Sequence, residues 1–119
     1  SASVYAEHDR KPELRQLTGV EKQGEGLFQD NCAFCHAADG TGKNWIGSFL
    51  DSHPRDLTDS RYMGLVDRPR LKAIIREGVV GASMPAWKSV LDEAQIDALV
   101  SYISRAFSTV GESAAQSQP

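Results

Sequence analysis

Apolar residues recur along this chain at helical rather than strand spacing, in stretches separated by Gly- and Pro-containing segments. The clearest stretch lies near the C-terminus, where Ile96, Leu99, Val100, Ile103 and Phe107 fall on one helical face. Asp92 and Gln95 in front of it form a capping box, and Leu91 and Ile96 can make the hydrophobic staple, so the pattern predicts a helix from there to about Phe107. Thr18 and Glu21 form a second capping box, which predicts a helix from Gly19 to about Asn31 with Val20, Leu27 and Phe28 as its apolar positions. Gly24 and Gly26 lower the propensity of that helix, which implies that another element packs closely on it. Asp67 can cap a third helix over Arg68–Glu77, with Pro69 tolerated in its first turn and Gly78 ending it. A short helix is expected around Asp59–Met63, and the stretches Ala37–Ser52 and Val79–Lys88 read as loops. No stretch alternates as a strand would, so the predicted class is all-α. Residues 1–17 read as a polar, loosely packed N-terminal extension, 18–110 as the domain, and 111–119 as a flexible Ser/Gln/Ala-rich tail.

Composition narrows the function classes. A chain of 119 residues makes one small domain. Its formal net charge of −3 argues against nucleic acid or an anionic membrane as the main partner. No segment has the apolar length of a membrane span. The two cysteines lie three positions apart, so no disulfide can link distant parts of the fold.

Those cysteines sit in Cys32-Ala33-Phe34-Cys35-His36, and C-x-x-C-H is the attachment signature of c-type haem. Two intervening residues make about one turn, bringing both sulfurs to one side of the chain for thioether formation. His36 follows directly as an axial ligand to the iron. A structural zinc site would need four ligands, usually as two separated pairs, and there is no second pair. A thioredoxin-like dithiol would need a strand before it, whereas a helix is predicted there. A disulfide across two residues would be strained and would leave His36 without a role.

Around this motif the chain resembles the class I cytochromes c, over about residues 19 to 108. Gly24 and Phe28 precede Cys32 at the family's spacing, Leu99 and Tyr102 supply the pair that packs on the glycine-bearing helix, and Ser83-Met84-Pro85 stands where the family places its distal methionine. The resemblance implies a small cytochrome c fold of three to five helices wrapped around one covalent haem c, with His36 and Met84 as axial ligands. Met63, His53 and His8 are the rivals for the distal position. Met63 is expected to fill the core, His53 to be solvated beside Pro54, and His8 to belong to the extension. Trp45, Arg55, Arg61, Tyr62 and Trp87 are candidates by type for haem-pocket or propionate contacts, with surface charge the plainer reading of the two arginines. The family hydrogen-bonds its proximal imidazole to a backbone carbonyl near a proline. Pro54 matches that pattern imperfectly, and the acceptor stays open.

The implied function is a soluble one-electron carrier, not an enzyme, docking transiently with redox donors and acceptors at the haem edge. It is expected to be monomeric and periplasmic or otherwise exported, with a removed leader inferred. Six of the thirteen basic residues lie between Arg55 and Arg76 and could steer an acidic partner, although such a run more often makes a solvated face. One alternative is a dedicated haem subunit of one periplasmic oxidoreductase, with residues 1–17 as an interaction arm. Another is a haem enzyme or gas sensor with an open distal site.

Overall fold

Helix formation follows the caps. In the computed structural model, which describes residues 3–107 and 111, Thr18 accepts from the Glu21 amide while the Glu21 carboxylate accepts from the Thr18 amide, starting α1 (Gly19–Leu27). The last helix, α6 (Glu93–Ala106), opens with the same reciprocal pair between Asp92 and Gln95. Between them run α2 (Ala33–His36), α3 (Trp45–Phe49), α4 (Ser60–Met63), α5 (Arg68–Glu77) and a 3₁₀ turn at Trp87–Ser89, and another 3₁₀ turn, Ala6–Asp9, precedes α1. Asp67 caps α5 as expected, and Asp59 caps α4. The described residues contain no strand, only one isolated bridge between Asp67 and Gly111, and the fold is all-α.

α1 and α6 form the central pair. Gly24 is fully engaged there: a Cβ on it would collide with the Ala98 carbonyl oxygen and come within 2.7 Å of the Tyr102 Cβ. Gly26 does not share this role, because a Cβ on it would meet nothing within 4 Å. Val20 also departs from the expected apolar face, since at the second helical position it points outward and is 51% exposed. Phe28, Met63, Ile96, Leu99 and Tyr102 are completely buried. Phe28 and Tyr102 have ring centroids 5.6 Å apart, and Phe107 closes over both at 5.0 and 5.7 Å. Lys72 bonds Glu93 and Asp97, each at 2.9 Å, and Arg76 pairs with Glu93, binding α5 to α6.

The structure revises three expected boundaries. The helix expected to run to Asn31 ends as α-helix at Leu27 and continues as one π-helical turn, Phe28–Cys32, closed by the Ala33 amide on the Phe28 carbonyl. The loop expected over Ala37–Ser52 contains α3, because Asn44 accepts from the Gly47 amide and so caps a helix. The extension is tied down more firmly than expected. His8 Nδ1 lies 2.7 Å from Asp39 Oδ2, Lys11 pairs with Glu25 at 3.5 Å, and Arg105 bonds the Arg15 carbonyl. The expected flexible tail lies outside the described residues except for Gly111, whose amide bonds the Val66 carbonyl at 2.8 Å.

Candidate haem-attachment site

The attachment turn is built from the core outward. The π turn carries the chain from Phe28, buried against α6, to Cys32, and α2 then presents Ala33, Phe34, Cys35 and His36 in one short helical turn. The buried Asn44 side chain donates to the carbonyls of Ala33 and Phe34 at 3.1 and 3.0 Å while capping α3. One amide thereby locks the turn to the helix that follows. Nothing in the sequence pattern marked Asn44 as part of the site. Its position three residues before Gly47 was the available signal.

Beyond His36 the chain reverses through Ala37, at φ +69°, and Gly40, at φ +79° beneath the Phe107 ring. Gln29 reinforces the reversal by donating to the Ala38 carbonyl at 3.1 Å and reaching the Tyr102 hydroxyl at 3.4 Å. The Leu57 amide bonds the Gly40 carbonyl at 2.7 Å, which brings the Pro54–Leu57 segment back toward the motif.

That return provides the imidazole's partner. His36 Nδ1 donates to the Arg55 carbonyl at 3.2 Å, the residue after Pro54, so the acceptor left open by the sequence lies beside the expected proline. The donation fixes the tautomer and leaves Nε2 as the nitrogen with a free lone pair. Burial lowers the His36 pKa, with the Arg55 carbonyl pulling the other way, so the ring is held neutral as a metal ligand must be. Both cysteines are free thiols. Burial, aided by Cys35, pushes the Cys32 thiol up to about 12, and burial raises Cys35 as well. Two thiols in one turn and an imidazole with one nitrogen already occupied fit covalent haem. No cluster of three or more His, Cys, Asp or Glu that could hold a metal occurs among the described residues.

The distal candidate lies in the 78–87 segment. Met84 is half-buried against the core, and its carbonyl accepts from the Val79 amide at 3.2 Å. Gly78, at φ +72° and ψ −169°, backs directly onto it. A Cβ there would sit 2.7 Å from both the Met84 oxygen and the Pro85 carbonyl carbon. Glu77 and Lys88 close the segment with a 2.7 Å ion pair. Met63, the first rival, is 1% exposed in the core. His53 Nδ1 donates to the Gly47 carbonyl at 3.0 Å, and His8 is engaged by Asp39.

The remaining candidates separate into different settings. The Arg55 guanidinium stacks 3.7 Å over the Tyr62 ring, so these two are together beside the proximal carbonyl. Trp87 is half-buried on the core. Arg61 extends into solvent, 95% exposed and 3.8 Å from Asp59. Trp45 lies on α3 with its ring between Tyr5 at 5.6 Å and Phe49 at 4.8 Å. Of the six basic residues between Arg55 and Arg76, Lys72 and Arg76 pair with α6 carboxylates and Arg68 bonds the Ser101 hydroxyl at 2.9 Å.

Similarity to known proteins agrees with this arrangement. The family model described as "Cytochrome C oxidase, cbb3-type, subunit III" matches residues 19–103. The chain is 33% identical over 84 residues to the cbb3-type cytochrome c oxidase subunit CcoP of Cereibacter sphaeroides, covering 71% of this chain and 27% of that protein. It thus spans less than a third of that relative's length. It is 32% identical over 81 residues to cytochrome c6 of Bryopsis maxima, covering 67% of this chain and 84% of that one. The solved structure of the KustC0563 c-type cytochrome superposes with a TM-score of 0.59 at 24% identity, covering 67% of this chain and 92% of that one, a likeness of fold. The chain therefore belongs to the cbb3-type subunit III family of cytochrome c domains and is a class I cytochrome c, an electron-transfer protein carrying covalent haem c.

Proposed function

We propose that the protein is a soluble one-electron carrier with His36 and Met84 as axial ligands, working in the periplasm or an equivalent exported compartment. Cys32 and Cys35 would anchor the haem, which when bound supplies a one-electron couple. His36 binds through Nε2 with its orientation held by the Arg55 carbonyl. Arg55, Tyr62 and Trp87 are the residues proposed to contact the haem or its propionates. The apolar side chains of Phe28, Leu71, Ile75 and Leu99 exclude water. A thioether at the sixth position leaves no site for a substrate, so the chain's task is to hold a closed centre and to dock briefly with donors and acceptors. The observation that carries this reading is Met84 half-buried against the core, in a segment whose backbone packs directly on Gly78.

The test is the optical spectrum of the holoprotein and two variants. Met84→Ala is expected to lose the ferric thioether-to-iron charge-transfer band while keeping covalent haem, and Met63→Ala to keep the band. Retention of the band in Met84→Ala overturns the assignment. Rapid cyanide binding by the parent would instead favour an open iron.

A second reading, a haem subunit held by one membrane oxidoreductase, is favoured by the likeness to CcoP, a subunit of a larger assembly. No helix among the described residues is long and apolar enough to cross a membrane. Fractionation of the native host separates the two readings: the carrier runs alone in the soluble exported fraction, and the subunit runs with the oxidoreductase.

A further inference from the structure

A surface hollow of about 400 Å³ opens beside the attachment turn, lined by Asp9, Gln29, Ala33, Phe34, Trp45 and Ile46 among others. Three elements meet there: the end of the N-terminal 3₁₀ turn, the two residues between the haem-anchoring cysteines, and α3. Its walls are aromatic and remain uncovered, with Phe34 66% and Trp45 59% exposed. The Trp45 ring is nevertheless held in place by the Tyr5 ring, near-perpendicular to it at 5.6 Å, and by the Phe49 ring at 4.8 Å. Asp9 is the one charged residue lining the hollow, and it has no hydrogen-bond or ion-pair partner among the described residues. Its neighbours in the 3₁₀ turn are engaged elsewhere, His8 with Asp39 and with Glu7 at 3.7 Å.

We propose that this hollow is a docking socket for an arginine or lysine side chain presented by a redox partner protein. An unpaired carboxylate beside two exposed aromatic faces is the combination that selects a cationic head on a long apolar stem. The aromatic faces attract the cation and pack against the stem, and the carboxylate accepts its N–H groups, two at once from a guanidinium. The chain's net charge of −3 favours approach of a basic partner. Of the basic residues between Arg55 and Arg76, which would call for an acidic one, Lys72 and Arg76 are paired with α6 carboxylates. A side chain seated in the socket touches Ala33 and Phe34, each adjacent in sequence to an anchoring cysteine, so docking there brings the partner beside the thioethers.

The inference rests on the electron-transfer reading and fails separately from it. The holoprotein is titrated with N-acetyl-arginine methylamide and, as an anionic control, N-acetyl-glutamate methylamide, with NMR shifts and the optical spectrum recorded together. Saturable shifts are expected at Asp9, Phe34 and the Trp45 indole N–H for the arginine probe alone, with no change in the haem bands. Asp9→Asn and Trp45→Ala are each expected to weaken binding by about two- to fivefold. Should Trp45→Ala perturb α3, the exposed Asp9→Asn variant decides alone. Equal shifts at remote carboxylates such as Asp51 and Glu93, equal response to the anionic probe, or unchanged affinity in Asp9→Asn overturns the socket. A missing thioether band in the unliganded parent would instead overturn the ligand assignment and leave the socket result standing.

Discussion

Replacing Gly78 by alanine should unseat Met84 while leaving the haem attached. Gly78 combines φ +72° with ψ −169°, a region that residues with a Cβ essentially do not occupy. Holding alanine there costs about 1–3 kcal/mol. The new Cβ would also lie 2.7 Å from the Met84 oxygen and 2.9 Å from the Ala86 nitrogen, backbone atoms that cannot rotate away. Overpacking of this kind adds about 1–3 kcal/mol, and reduced freedom of the unfolded chain returns only about 0.4–1 kcal/mol. The middles of these ranges leave about 3 kcal/mol, and a penalty of about 2–4 kcal/mol around that value falls on the ligated conformation. The 78–87 segment gives way before the core, because its own backbone bonds, Val79 to Met84 and Ala82 to Val79, are both 3.2 Å long. At a factor of ten per 1.4 kcal/mol, the opened state gains about 30- to 700-fold in relative population. Cyanide binding to the ferric holoprotein by stopped flow measures this directly, since cyanide must wait for the thioether to leave. Gly81→Ala is the control: Gly81 has φ +82° but open space where a Cβ would go, so strain alone acts. A cyanide rate for Gly78→Ala no greater than that of Gly81→Ala, with the thioether band intact, refutes the reasoning.

Other perturbations read different parts of the fold. Gly24→Ala should destabilise the holoprotein to chemical denaturation by about 1–3 kcal/mol by forcing α1 off Ala98, whereas Gly26→Ala, which touches nothing, should stabilise it by up to about 1 kcal/mol. Asn44→Ala should cost about 1–3 kcal/mol on the same assay, since it removes the α3 cap and both hydrogen bonds that tie α3 to the Ala33 and Phe34 carbonyls. The hydrogen bond from Lys88 holds the Glu77 carboxyl below its ordinary pKa. Its contribution is therefore present above the usual carboxylate range and is lost as pH falls through the lowered value. Acid titration of the thioether band should accordingly show a higher midpoint in Glu77→Gln than in the parent, and coincident midpoints would remove the strap from the account.

Side-chain chemistry in the sequence exposed most of the frame, and backbone chemistry hid the rest. Both capping boxes, the Asp67 cap and the Gly24 contact are written in residue identity, and the structure forms each one. The acceptor for His36 is a carbonyl, which every residue carries, so only the neighbouring Pro54 hinted at Arg55. α3 was hidden because Gly42 and Gly47 read as loop punctuation. Gly47 is helical and buried, where a Cβ would meet the Cys35 oxygen at 2.6 Å. The run of basic residues suggested an open field, yet two of its charges, Lys72 and Arg76, are matched by Glu93 and Asp97 from a helix distant in sequence.

The π-helical turn at Phe28–Cys32 sets a limit on how the gene can vary in length. Each residue of an α-helix advances its side chains by about 100° around the axis, and a π turn absorbs one residue more than an α turn does. Phe28 at one end is fixed to Tyr102 and Phe107, and Cys32 at the other begins the attachment turn. Adding a single residue between them would exceed what the widened turn already absorbs and swing the thiols by about 100° relative to the core. Substitutions at Gln29, Asp30 and Asn31 can be accommodated one by one, but the count of three cannot grow.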